Sequence, residues 1–221
     1  KSDHGVEVKS WTAGGTATIR DSSATGGSSG LVLSGLAGAT IVVDTVTADG
    51  TSGNGVTLAS ISGSSTVGFT KVDATSTGAY GLGASSISNS AITIGGTSTV
   101  TGATIGLHIT GFVASSIAIA FTTVSGGSGH GVAALSFDGS SSLAVSDSTV
   151  ASAAARGVLV LTWPAAGGTA SFTDCVISGA GHGMHFGTLT GAAVTMTNVA
   201  TTGTGAGSFG LYVLTVDTGC S

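Results

Sequence analysis

The sequence predicts an all-β protein, a single-domain right-handed parallel β-helix of about nine coils with 25–27 residues per coil. Three observations predict it. A four-residue unit, glycine followed by an apolar residue, any residue and a second apolar residue, recurs nine times at a near-constant step. A second segment with period-two alternation follows each unit except the last. No stretch of useful length carries a helical period, and the single proline is Pro164. Self-similarity at this period is the mark of a stacked repeat, in which short strands bury a shared core only by pairing with their equivalents in neighbouring coils.

The units begin with Gly5-Val6-Glu7-Val8, Gly30-Leu31-Val32-Leu33 and Gly55-Val56-Thr57-Leu58. They continue with Gly81-Leu82-Gly83-Ala84, Gly106-Leu107-His108-Ile109 and Gly131-Val132-Ala133-Ala134. The last three are Gly157-Val158-Leu159-Val160, Gly183-Met184-His185-Phe186 and Gly210-Leu211-Tyr212-Val213. Alternation sends one apolar pair inward and the residue between them outward. The leading glycine is expected to supply a corner at positive φ, where a Cβ would clash. The second segments run from Ala17-Thr18-Ile19 and Ile41-Val42-Val43 to Ala170-Ser171-Phe172 and Val194-Thr195-Met196. Val124, Val150 and Ile177 mark a third short strand. Right-handed winding follows from the crossover preference. Nine coils at about 4.8 Å each give a rod on the order of 40 Å long. The fourth coil, with Gly83, Ala84 and Ser85 in strand positions and Gly95-Gly96 in the second segment, is expected to be the weakest.

Only 7% of residues are charged, against about a quarter in an ordinary globular domain, while glycine supplies 39 of the 221. Such a surface must be covered by Ser and Thr hydroxyls and small side chains. A net charge of −5 with five Lys plus Arg leaves no basic stripe for phosphate backbones, so neither nucleic acid nor an anionic membrane is an expected partner. Gly, Ser or Thr interrupts every apolar run well short of the ~20 residues of a membrane-spanning helix, and membrane insertion is not expected. A secretion signal is expected to have been removed or to lie outside these residues. Cys175 reads as a small core residue, and whether it pairs with Cys220 is left open. No Asn-x-Ser/Thr sequon occurs.

The repeated units resemble the parallel β-helix family that includes pectate-lyase-like carbohydrate-active enzymes, phage tailspikes and many surface proteins. The resemblance covers essentially the whole chain and concerns fold; the Asn-rich turn ladders of many members are missing. It implies that an enzyme of this kind would work on the outer face of the stacked strands, with several carboxylates and basic residues. The outward positions of the first strand read Glu7, Val32, Thr57, Gly83, His108, Ala133, Leu159, His185 and Tyr212. After Glu7 that column holds no carboxylate, so neither a carboxylate pair for glycoside hydrolysis nor a calcium cluster for lyase chemistry stands in the expected groove. No catalytic residue is assigned, and a non-enzymatic role is favoured.

Two clusters remain as binding candidates. Asp147, Asp174 and Asn198 fall two residues past the second strand in three consecutive coils. Stacked carboxylates about 5 Å apart repel, and a Ca²⁺ ion would relieve that repulsion. Calcium is the one cofactor the residues suggest; the plainer reading is three solvated turn residues. His130, Arg156 and His182 each stand immediately before a repeat glycine in consecutive coils, with His185 close by. They form a column able to hold an anionic sugar or a metal, or else ordinary corner residues with wet tips.

The late coils carry an apolar outward set, Leu159, Leu161 and Trp163, then Tyr212 and Leu214. Neighbouring exposed apolar side chains mark a partner surface unless the same chain covers them. Open coil ends leave strand edges unpaired, which invites end-to-end addition. Together these features favour an extracellular or cell-surface building block. It would self-associate as a homo-oligomer into a filament, fibre or layer, or be one segment of a longer surface protein. The alternative is a carbohydrate-binding or polysaccharide-cleaving β-helix.

Overall fold

The computed structural model describes residues 3–138, 140–163 and 167–216; Pro164 and Cys220 lie outside them. Every regular element among these residues is a β-strand, and all strand pairings are parallel. Each strand pairs with its equivalent one coil on, which gives a parallel β-solenoid of about eight turns. Three ladders run along it. The first stacks nine rungs, from Val6–Lys9 through Val56–Ser62 and Val158–Trp163 to Leu211–Val216. The second and third stack eight each, ending at Ala193–Thr197 and Ala200–Gly203. In the first coils the strands Thr12–Gly26 and Leu31–Gly50 run on through the corners, so Leu31–Gly50 serves all three ladders. The fourth coil is as regular as its neighbours: Leu82–Ser88 pairs on both sides, and an extra residue is absorbed after Gly95 at a left-handed turn through Gly96 and Thr97.

The register is the one the glycine spacing implies. Glu7 pairs with Val32, Thr57 with Gly83, His108 with Ala133, and Leu159 with His185 and through it Tyr212. The repeat glycines earn their places differently from expectation, because none of the nine lies at positive φ. They are required by close approach. A Cβ on Gly131 would stand 2.6 Å from the carbonyl oxygens of Ala151 and Gly157, and one on Gly183 the same distance from the Gly210 oxygen. The positive-φ positions fall at other corners, among them Asp21, Thr45, Lys71, Phe121, Asp147, Asp174 and Asn198, which follow the second ladder.

The interior is a set of apolar columns. Leu31, Val56, Leu82, Leu107, Val132, Val158 and Met184 form one; Leu36, Ile61, Ile87, Phe112, Phe137, Trp163 and Leu189 form another. Burying each such side chain is worth roughly 1.5–3 kcal/mol. Within the second column the rings meet, Phe112 stacked on Phe137 at 5.3 Å and Phe137 tilted against Trp163 at 4.6 Å between centroids. Where the chain turns, buried hydroxyls complete the backbone hydrogen bonding. The Ser65, Ser115 and Ser141 hydroxyls accept the N–H of Ala39, Ser90 and Ser115 and donate to nearby carbonyls. Ser98 and Ser148 do the same for Val72 and Thr122. An interior N–H left without a partner would cost about 1–3 kcal/mol, so these ladders are what lets the corners be dry. Cys175 continues the second hydroxyl ladder, its thiol donating to the Thr173 oxygen at 3.1 Å, and burial raises its pKa.

Candidate functional site

In four coils the residue before the repeat glycine folds over the outward residue of the next coil, whereas Phe209, before the last repeat glycine, is exposed. Tyr80 stacks on His108 at 4.4 Å, His182 stacks on Tyr212 at 4.7 Å with an interplanar angle of 11°, and the Ser29 and Thr57 hydroxyls meet at 3.2 Å. The Asn54 amide covers Gly83, where a Cβ would approach its nitrogen to 2.6 Å. The outward column of the first ladder is therefore roofed by its own chain. Val32, Ala133, Leu159 and His185 are buried although they point away from the core.

The roof has its own hydrogen bonds. Asn54 Oδ1 accepts the N–H of Tyr80 at 3.3 Å, His130 Nδ1 accepts the N–H of Arg156 at 3.3 Å, and His182 Nδ1 accepts the N–H of Phe209 at 3.1 Å. A neutral imidazole that accepts at Nδ1 carries its proton at Nε2, so His130 and His182 present donors on their free side. His185 lies T-shaped to both His182 (5.6 Å) and Tyr212 (4.9 Å). It is 9% exposed, and neither of its ring nitrogens has a hydrogen-bond partner; the buried Nε of Arg156 has none either. Burial lowers the pKa of His130 and of His185, and the Arg156 guanidinium lowers both further; His185 adds to the effect on His130, and His182 to that on His185. No carboxylate is among the charges acting on them.

The structure thus brings His130, Arg156, His182 and His185 together and sets Phe209 against His182, while Tyr80 and His108 form a separate stacked pair in earlier coils; sequence reasoning assigned none of these three a role. The signal was present. Writing the residues before the nine glycines as a column gives His4, Ser29, Asn54, Tyr80, Ile105, His130, Arg156, His182 and Phe209, which is rich in rings and hydrogen-bonding tips.

Asp147, Asp174 and Asn198 also stand in one column, at the positive-φ corner after the second ladder. Asp and Asn tolerate that conformation better than most residues, which accounts for their presence on its own terms. The N–H groups of Asp147 and Asp174 donate to Thr173 and Thr197 of the next coil, and the Asn198 amide donates to Asp174 Oδ1 at 2.6 Å. Among the described residues no group of three or more His, Cys, Asp or Glu is gathered to hold a metal ion. A concavity of about 770 Å³ beside Asp174 and Asn198 is floored by Met196, Val199 and Leu211, and is the uncovered end of the described stack rather than a cleft.

The apolar outward set needs correction. Trp163 is fully buried in the core column against Phe137, and Leu159 is roofed at 6% exposure, so neither belongs to a surface. Tyr212 is half-buried under His182. Leu161 at 46% and Leu214 at 61% remain exposed, at the same position of their rungs with Gly187 between. Lys9 and His4 both face Glu7 in the first rung, at 2.5 and 3.8 Å.

Ladder register and a continuous core define the class of protein, a parallel β-solenoid. Compared with family models, with curated proteins and with solved structures, the chain finds no match in any of the three. Among the described residues no helix is long and apolar enough to cross a membrane, which says nothing of strands.

Proposed function

We propose that this chain is a non-enzymatic structural or adhesive module of the cell surface or extracellular space, which self-associates into a filament, fibre or layer. The observation that supports the reading is the pair Leu161 and Leu214, large apolar side chains exposed in register along one edge of a rod whose charge is too sparse to keep copies apart. Electron microscopy and sedimentation velocity of the purified protein test it. Ordered polymers that dissociate when Leu161→Lys and Leu214→Lys are combined, with an unchanged circular dichroism spectrum, are the expected result. A monodisperse monomer at every concentration would overturn it.

A second reading, a carbohydrate-binding surface, is favoured by one observation. Phe209 and Tyr212 lie nearly parallel at 5.8 Å beside His182, a platform of rings of the kind on which a sugar face stacks.

A further inference from the structure

The roof over the first ladder has one stretch where three successive roof residues, His130, Arg156 and His182, are left with donors to offer. His130 and His182 use Nδ1 to accept a backbone N–H from the following coil, which leaves Nε2–H as the group each can offer. Arg156 sits between them in the column, and a guanidinium has donors alone. Among the described residues no carboxylate lies within ion-pair reach of it; His4 and Lys9 pair with Glu7 at the far end of the ladder. Beneath lies His185, more than nine-tenths buried, with both ring nitrogens unpartnered. His130 and His182 are poorly suited to a metal: their accepting nitrogens are already occupied by backbone N–H, and a protonated Nε2 has no lone pair to coordinate.

We infer that His130, Arg156, His182 and His185 form a binding site for a single oxyanion group, a carboxylate, sulfate or phosphate. The oxyanion supplies acceptors for the free donors of His130, Arg156 and His182 and the negative charge that Arg156 lacks. Neutral imidazoles donate one proton each, and protonation of His185 adds a charge-assisted bond, so binding tightens as pH falls. The groups facing the anion are the three histidines, Arg156 and the Tyr212 ring; the charges acting on His130 and His185 come from Arg156 and the other histidines. This site is separate from the Leu161 and Leu214 edge, and the inference stands whether or not the chain self-associates.

The test is titration of the full chain with sodium sulfate against sodium chloride at matched ionic strength, following the imidazole signals by NMR and the melting temperature. Sulfate is expected to shift the His130, His182 and His185 rings saturably and to raise the melting temperature, with chloride doing neither. Arg156→Gln removes the guanidinium and should weaken binding by about 10- to 100-fold. His130→Asn keeps an acceptor for the Arg156 N–H, as Asn54 does for Tyr80, while removing the Nε2–H donor; it should weaken binding and leave the fold intact. Glucose 6-sulfate, which carries the same group on a sugar, distinguishes the source. Tighter binding than free sulfate assigns the site to a pendant group, and equal binding to the free ion. Equal effects of sulfate and chloride, or saturable binding that survives Arg156→Gln unchanged, would overturn the inference.

Discussion

Gly131 and Gly27 are both glycines in a glycine-rich chain, but their surroundings differ. A Cβ at Gly131 meets two carbonyl oxygens at 2.6 Å, whereas at Gly27 the nearest atoms are 4.0 Å away. Backbone cannot move aside as a flexible side chain can, so Gly131→Ala should destabilise by ~1–3 kcal/mol or more. Gly27→Ala should change stability by less than about 0.5 kcal/mol. Thermal melts of the two variants measure the contrast; equal losses would mean that the repeat glycines are not read by close packing. At this scale the sequence showed where the glycines had to be but not why. A fixed step of glycines is equally consistent with a left-handed corner and with a tight approach, and only the placement of the neighbouring coil's carbonyls separates the two.

Along an element, phase decides which side chain is core. Counting in twos from Val158 places Leu159, Leu161 and Trp163 outward together, and that count fails at Trp163 because a corner intervenes. Trp163 pairs with Leu189 and packs tilted against Phe137, so one residue at the turn resets the alternation and swings the indole inside. The strand ladders themselves were legible because their apolar pairs repeat in every coil; the roof was not, since its residues share a position and a direction but no single chemistry. That roof predicts a pH response. His108, His130 and His185 all have pKa values lowered by burial, so their folded values lie below the unfolded value of about 6.5. Above about pH 6.5 these rings are neutral in both states and stability is greatest. As pH falls through the lowered folded values the unfolded chain binds protons first, and stability is lost. The melting temperature should drop as pH falls below about 6.5, and replacing His185 with Leu, the residue one rung away at Leu159, should flatten part of that drop. A melting temperature that is constant or rises over this range would contradict the burial of the rings.

Over the whole molecule each coil touches only the coil before and the coil after, so stability is close to a sum of coil and interface contributions. The equivalence of coils is unusually complete through the middle of the stack. Removing residues 106–130 would join Ile105 to Gly131, bring Leu82 against Val132 in the first ladder, and set Ile87 against Phe137 in the core. Ser90 would meet Ser141 and Ser98 would meet Ser148, so both hydroxyl ladders stay closed. Every core position and corner hydroxyl finds the same class of neighbour it had before, which holds only if 25 residues is one full turn of the stack; in the roof Tyr80 loses His108 and Arg156 loses His130. The shortened chain is therefore expected to keep a β-rich circular dichroism spectrum and a cooperative melt, at a lower melting temperature. Removing residues 106–118, about half a turn, sets outward positions of one coil against inward positions of the next and should abolish cooperative unfolding. If both deletions behaved alike, the coil would not be the unit of this fold.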